Sequence, residues 1–445
     1  MKSPVLIVGG GISGVSAAKL AVLLDYEVTL ADRNPDKIES IDQVRIVHEN
    51  DIDPNAWSFT LLVVSPGVPR SNPIIASAIE QEIPIISELN FASNHLNIPI
   101  VAVTGTNGKS STVWYTQQFA NQLGYSAFLG GNFGTPLSDL VIAQHTEDVA
   151  YDLAIVEVSS YQLEWSHTFH PIAAGILNLT PDHLARHKTM TEYRRCKMKI
   201  FDQHRSSDIA IVPFNDHTLK PEGNIQPQFF GELPERKNEW GCFYDETHFY
   251  CIQDEQSWSM PIADIPILGR HNLENVAMAT LLFLAFQDGP QISPSHIQNL
   301  QALEHRLEAV YVNERLWIND SKATNLEATI AALHSVNTPT VVLLGGAGKE
   351  GADYARLIPL LQNRAQAVLC FGASGPEIFT ALQPLSNLIP LKSVVDLSSA
   401  IELARLKFAP HPVLLSPACA SFDEFANFAE RGRYFKETIQ ELEST

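Results

Sequence analysis

Lysine and serine placed directly after glycines are residue types that bind phosphate, and the chain carries them in Thr104-Gly105-Thr106-Asn107-Gly108-Lys109-Ser110-Ser111. The apolar run Ile100 to Val103 before them reads as a strand, and a helical pattern follows. Loop amides there would cradle phosphates, Lys109 would reach the terminal ones, and Ser110 would ligate Mg²⁺. Only two residues separate the glycines, so the loop departs from G-x-x-x-x-G-K-[ST] spacing while keeping its parts. Further along, the run Leu153 to Val156 ends in Glu157-Val158-Ser159-Ser160-Tyr161-Gln162. A carboxylate closing a buried parallel strand lies on the face where ligands bind, which makes Glu157 a candidate Mg²⁺ ligand.

Asn178-Leu179-Thr180-Pro181-Asp182-His183 follows the apolar run Ala173 to Leu177, so His183 also stands at a strand end, as a functional or a structural histidine. In the next helix Thr189 and Glu192 have capping-box spacing. Tyr193, Cys196, Lys197, Ile200 and Phe201 then share one face while Arg194, Arg195 and Lys199 lie elsewhere, so Lys197 points with the apolar stripe. It either snorkels to water or loses its charge readily through desolvation. Asn272 and Asn275 lie three apart ahead of the apolar run Val276 to Phe286, suited to reading a base edge or to capping.

A second glycine loop, Gly9-Gly10-Gly11-Ile12-Ser13-Gly14, lies between a strand and a helix, with Asp32 ending the next strand. It fits a diphosphate at a helix N-terminus, in NAD, FAD or another nucleotide diphosphate. Ser65-Pro66-Gly67-Val68-Pro69 closes the strand Leu61 to Val64 in a turn. Toward the C-terminus, His305-Arg306, Asp320-Ser321-Lys322-Ala323-Thr324-Asn325, Gly345-Gly346-Ala347-Gly348-Lys349 and Ser416 to Asp423 carry cations and hydroxyls at strand ends, the chemistry for carboxylates and phosphate oxygens.

Positioning these loops takes short β-branched runs alternating with helical patterns, which predicts an α/β fold with parallel sheets. A length of 445 residues accommodates about three domains. The rhythm breaks at 93–99 and 298–305, which predicts a Rossmann-like domain over 1–95, a central ATPase-type α/β domain over 96–300 and a further Rossmann-like domain over 301–445. Trp240 to Tyr244 and His248 to Ile252 read as a hairpin, part of a small antiparallel addition to the central domain. With 30 basic and 50 acidic residues the net charge is -20, which repels nucleic acid and anionic membrane, so local cations must meet any anionic substrate. Five cysteines without C-x-x-C spacing argue against a disulfide framework or zinc cluster and fit reduced thiols in the cytoplasm. No leader pattern and no charge-free apolar run of membrane-spanning length is expected.

From the first glycine loop to Phe428, the order of motifs resembles the Mur ligases. G-T-N-G-K-S with E-V-S-S-Y-Q and N-L-T-P-D-H is specific to the ATP-dependent Mur and folylpolyglutamate ligases. N-D-S-K-A-T-N and S-P-A-C-A-S-F-D look like a D-glutamate-adding member, and the D-N-P-R motif of diaminopimelate-adding members is absent. The resemblance implies ATP-dependent amide-bond formation in peptidoglycan precursor synthesis, with UDP-N-acetylmuramoyl-L-alanine and D-glutamate as substrates, in a monomer without nucleic-acid partners or membrane insertion. It implies ATP at Gly105, Thr106, Asn107, Gly108, Lys109, Ser110 and Ser111, with Asn272 and His305 at adenine, Asp320 at the ribose and Arg306 at the phosphates. Two Mg²⁺ ions would be served by Ser110, Glu157, His183 and a carbamylated Lys197. Gly11, Ser13, Asp32, Arg33, Ser65, Pro66 and Gly67 would hold UDP, with Asn132, Ser159 and Gln162 toward the muramoyl part. Lys322, Thr324, Lys349, Ser421, Phe422 and Phe428 would form the D-glutamate site. Two departures stand out: Ala347 where many relatives have an acid, and Ala185 in place of the acid usual after D-H-L. A nicotinamide-dependent dehydrogenase would use the first glycine loop but leaves the phosphate loop unexplained. A non-enzymatic nucleotide-binding regulator would use both without turnover.

Overall fold

Apolar runs such as Val5-Leu6-Ile7-Val8 are buried along their whole length, because helices cover both faces of a parallel sheet. The computed structural model of the chain describes residues 2–53, 56–147, 149–223, 225–234, 240–253, 257–286, 292–336, 338–349 and 351–443. The first sheet contains β1 (Pro4–Val8), β2 (Glu27–Asp32), β3 (Val44–His48), β4 (Leu61–Val64) and β5 (Ile85–Ser87), all parallel, in the order β3-β2-β1-β4-β5. The order reverses between β1 and β4, and the loops after those two strands flank the crevice that such a switch point leaves open. Strand β3 is an addition to the apolar-run reading: its V-R-I-V-H pattern is only half-buried, as expected at a sheet edge.

The second sheet has nine strands: β6 (Ile100–Thr104), β7 (Ala127–Gly131), β8 (Leu153–Glu157), β9 (Ala173–Ile176), β10 (Ile209–Pro213), β11 (Gln228–Glu232), β12 (Gly241–Tyr244), β13 (His248–Ile252) and β14 (Trp258–Pro261). The order is β7-β8-β6-β9-β10-β11-β12-β13-β14. The expected hairpin is β12 and β13, and β14 extends it antiparallel; β11 and β12, by contrast, continue the parallel part. Strand β6 sits between β8 and β9, which places the phosphate loop, Glu157 and the loop before His183 at three neighbouring strand ends.

The third sheet, in the order β15-β16-β20-β17-β18-β19, contains β15 (Glu308–Val312), β16 (Arg315–Asn319), β17 (Thr340–Gly345), β18 (Ala365–Phe371), β19 (Leu391–Ser393) and β20 (Val413–Ala418). Apart from the β15–β16 hairpin it is parallel. The loops after β16, β20 and β17 are again neighbours.

The chain divides into two compact units, one of residues 1–264 with 274–297, the other of 265–273 with 298–445. The first holds the first two sheets and the second holds the third. All five cysteines are buried and unpaired, and burial pushes the Cys196 and Cys370 thiols up to about 11 and 12. Among the described residues no helix is long and apolar enough to cross a membrane.

Candidate functional site

Gly105 and Gly108 bend the phosphate loop through φ of +153° and +87°, and each is hemmed in. A Cβ on Gly105 would come 2.9 Å from Leu177 Cβ, and one on Gly108 would lie 2.2 Å from Asn275 Oδ1. The helix Lys109–Gln122 then starts without a side-chain cap, leaving its first amides aimed into the loop. Asn178 braces the loop from the next strand end: its Oδ1 accepts from the amides of Thr106 and Asn107, and its Nδ2 donates to Asn107 O. Thr106 Oγ1 accepts from the Thr180 amide and lies 3.2 Å from the Tyr193 hydroxyl. Lys109 Nζ donates to Gly105 O and Thr106 O, both at 2.9 Å. Gly108→Ala should destabilise the chain by about 1–3 kcal/mol, because alanine at this φ is strained and meets Asn275. It should also raise KM for ATP severalfold. A wild-type melting temperature together with an unchanged KM would show that the loop tolerates another shape.

Lys197 is 2% exposed. Its Nζ donates to Gly105 O at 2.8 Å and to Thr104 Oγ1 at 3.2 Å, and stands 4.9 Å from the centre of the Tyr193 ring. Burial, followed by the positive charge of Lys109, pulls its pKa down to about 7. Lys197 is therefore buried among the loop and the Tyr193 ring and does not snorkel to water. His183 is half-exposed, takes a left-handed backbone (φ 53°) and lies 3.1 Å through Nδ1 from the Tyr161 hydroxyl. The Tyr193 ring meets both His183, at 6.3 Å edge-on, and Lys197. His187, which sequence reasoning passed over, is buried against Ser160 Oγ at 2.9 Å, and burial lowers its pKa.

Glu157 is buried at the end of β8. Its Oε1 accepts from Asn132 Nδ2 at 2.6 Å, while Oε2 is buried with no hydrogen-bond partner. An orphaned carboxylate oxygen beside a phosphate loop is suited to a cation, so the residues present fit Mg²⁺. Among the described residues no group of three or more His, Cys, Asp or Glu side chains is arranged to hold a metal.

Between the first two sheets lies a cavity of about 570 Å³, and Gly11, Ser13, Asp32, Arg33, Ser65, Pro66, Gly67, Asn132 and Gln162 all line it. Asp32 spends both oxygens on the backbone, accepting from Gly10 N and Asn34 N at 2.7 Å, and so shapes the glycine loop. Gly14 is compulsory, because a Cβ there would lie 1.8 Å from Gly9 O. Gln162 and Ser159 form a capping box on the short helix Ser160–Leu163. Asn132 belongs to the cavity wall and also grips Glu157, joining the cavity to the carboxylate beside the phosphate loop.

In the second unit, Ala347 and Ala420 exchange backbone hydrogen bonds of 2.8 and 3.0 Å, tying the Lys349 loop to the Ser421 loop. Only the main chain of Ala347 takes part, so the unusual side chain leaves this tie intact. Arg431, 1% exposed, donates to Ser321 Oγ and O, Cys419 O and Ala420 O. Burial lowers its pKa to about 10. It shares a helical face with Phe428 and Phe435, the same signal that marked Lys197. Lys322 Nζ lies 3.8 Å from the centre of the Phe428 ring, the Thr324 amide donates to Lys322 O, Lys349 is exposed, Ser421 is buried and Phe422 is 74% exposed. His305 is buried against Asn319 Nδ2 at 2.9 Å, and Asp320 accepts from Ser416 Oγ and the Leu307 amide, with burial pushing its pKa up to about 7. Asn272, inside the first turn of the helix Arg270–Phe286, donates through Nδ2 to Leu268 O, and Asn275 packs on Gly108 in the first unit.

Asn132 thus joins a phosphate loop to a cavity large enough for a nucleotide. Residues 103–283 match the Mur ligase middle domain and residues 3–87 the N-terminal domain of the MurD-like Mur ligases. The chain is 33% identical to the UDP-N-acetylmuramoylalanine–D-glutamate ligase of Christiangramia forsetii, over 99% of this chain and 100% of that one. It is also 33% identical to the enzyme of the same name from Syntrophus aciditrophicus, over 98% and 97%. The fold is shared with the MurF ligase of Thermotoga maritima solved with ADP (TM-score 0.59, 16% identity, 100% of this chain and 95% of that one). It is shared too with MurF of Acinetobacter baumannii (TM-score 0.60, 16% identity, 95% and 87%). This chain belongs to the Mur ligase family.

Proposed function

We propose that the chain joins D-glutamate to UDP-N-acetylmuramoyl-L-alanine at the expense of ATP, in peptidoglycan precursor synthesis. The observation that carries this reading is Asn132, which lines the cavity and holds Glu157. A nucleotide sugar seated by the glycine loop would extend its carboxylate toward the phosphate loop. A carboxylate is inert to amines at neutral pH, so its oxygen attacks the terminal phosphorus, ADP leaves, and an acyl phosphate forms. The amine of D-glutamate then attacks the acyl carbon, phosphate leaves, and the nitrogen gives up a proton. Two Mg²⁺ ions, when bound, neutralise the phosphoryl and carboxylate oxygens.

Gly105, Thr106, Asn107, Gly108 and Ser111 orient the triphosphate through loop and helix amides, and Lys109 follows the charge on the terminal group. Ser110 and Glu157 would supply oxygens to one ion, and His183 and Lys197 would serve the other, with Lys197 as a carbamate formed when its neutral amine adds CO₂ and releases a proton. Asn272, His305, Asp320 and Arg306 contact ATP; Lys322, Thr324, Lys349, Ser421, Phe422 and Phe428 receive D-glutamate. We assign 1–95 to the nucleotide sugar, 96–300 to ATP and 301–445 to the amino acid, in a monomeric cytoplasmic enzyme.

Phosphate release from ATP, measured with UDP-N-acetylmuramoyl-L-alanine and a panel of amino acids, tests the reading. D-Glutamate should stimulate release well above every other amine, since Lys322, Lys349 and Ser421 offer donors for two carboxylates. Equal stimulation by L-lysine or diaminopimelate would overturn it.

A further inference from the structure

Away from the reacting groups, one buried carboxylate has no part in the chemistry above. Glu88 begins the helix Glu88–Ser93, which is buried almost throughout, and is itself 1% exposed. Its Oε1 accepts from the Ser138 amide at 2.7 Å, in the first turn of the helix Leu137–Thr146, a helix that has no side-chain cap from its own N-cap residue Pro136. A carboxylate in that position meets both an orphan amide and the positive end of the helix. Burial pushes the Glu88 pKa up to about 7 against the pull of the Ser138 hydroxyl and amide. Glu88 Oε2 and Ser138 Oγ are both buried without a partner of hydrogen-bonding geometry. A second tie lies one residue on, where Ser16 Oγ donates to Asp139 Oδ1.

The Ser16–Asp139 tie joins the elements behind the two walls of the cavity, and the Glu88–Ser138 tie anchors one of them to the helix Glu88–Ser93. Ser16 stands in the first turns of the helix Ile12–Leu23, directly behind the glycine loop. Ser138 and Asp139 follow the turn Gly131 to Pro136, which contributes Gly131, Asn132, Gly134 and Pro136 to the opposite wall. The spacing between the walls is therefore set by the seam behind them, and Glu88 is the buried anchor of its Ser138 side. We propose that Glu88 is a positioning residue for the nucleotide-sugar substrate: by holding the Ser138 amide it fixes the Asn132 wall at the distance the substrate spans. The proposal rests on the cavity being the nucleotide-sugar site.

Steady-state kinetics of the full-length chain, with each substrate varied in turn, test it. Glu88→Ala leaves the Ser138 amide buried and unpaired, and should raise KM for UDP-N-acetylmuramoyl-L-alanine about tenfold or more while KM for ATP and for D-glutamate move less than about threefold. Glu88→Gln should recover most of that loss, because its carbonyl accepts from the same amide and its NH₂ gives the Ser138 hydroxyl a donor. Equal changes in all three KM values, an unchanged nucleotide-sugar KM, or a Glu88→Gln variant as impaired as Glu88→Ala would each overturn the positioning role. If Glu88→Ala fails to fold, Ser16→Ala decides: a selective rise in nucleotide-sugar KM upholds the seam, and wild-type behaviour overturns it. Wild-type protein without nucleotide-sugar-dependent phosphate release would instead remove the functional reading beneath the proposal.

Discussion

Lys109→Ala should form ADP about a thousandfold more slowly than wild type at saturating substrates, with an unchanged melting temperature. The ammonium of Lys109 sits in the phosphate loop, where it donates to the carbonyls of Gly105 and Thr106. Charge on the terminal phosphoryl oxygens grows during transfer, and a cation within hydrogen-bond reach stabilises the transition state more than the ground state. Loss of activity should therefore appear mainly in kcat. A single-turnover rate within tenfold of wild type, in folded protein, would mean that ATP is handled elsewhere.

Lys197→Ala should lose activity by about two to three orders of magnitude and, unlike Lys109→Ala, should regain part of it when short-chain carboxylic acids are added. Its neighbourhood explains both expectations. Nζ is buried against Gly105 O, Thr104 Oγ1 and the Tyr193 ring, a place that disfavours a bare ammonium and leaves a reactive neutral amine near neutral pH. Truncation would open a space beside the loop, in which formate or acetate would stand in for the carboxylate end of the proposed carbamate. Lys197→Arg should resist rescue, because guanidinium fills the space and stays charged. Rescue of neither variant, together with an isotope-edited infrared spectrum lacking a ¹³CO₂-derived carbamate band in wild type, would leave Lys197 as a structural lysine.

How much of this was legible beforehand depended on where each side chain's partners lie in the chain. The phosphate loop, Glu157 and Lys197 announced themselves through local rules, namely glycine before a helix, a carboxylate at a strand end and a charge on an apolar face. Strand β3 escaped because an edge strand buries little and so carries no strong apolar run. Asn178 and Arg431 escaped for another reason: their work is on backbone groups of distant segments, which no spacing encodes. Glu88 is the extreme case, since its partner is an amide 50 positions away. Asp32 was legible as a residue of the glycine loop, but its hydrogen bonds to Gly10 and Asn34 show it shaping the turn, which the motif alone leaves open.

The five sequestered thiols give the chain an internal clock for opening. Each is shut off from solvent in the folded state, and the burial that raises the Cys196, Cys370 and Cys419 pKa values suppresses thiolate there as well. A thiol reagent can therefore react only as fast as the surrounding structure opens, and under such conditions labelling rates convert to local opening free energies. Cys196 reports on the helix that carries Lys197, Cys242 and Cys251 on the antiparallel end of the second sheet, and Cys370 and Cys419 on the second unit. Mass-resolved alkylation with and without nucleotide would thus read, cysteine by cysteine, which regions a bound ligand holds shut.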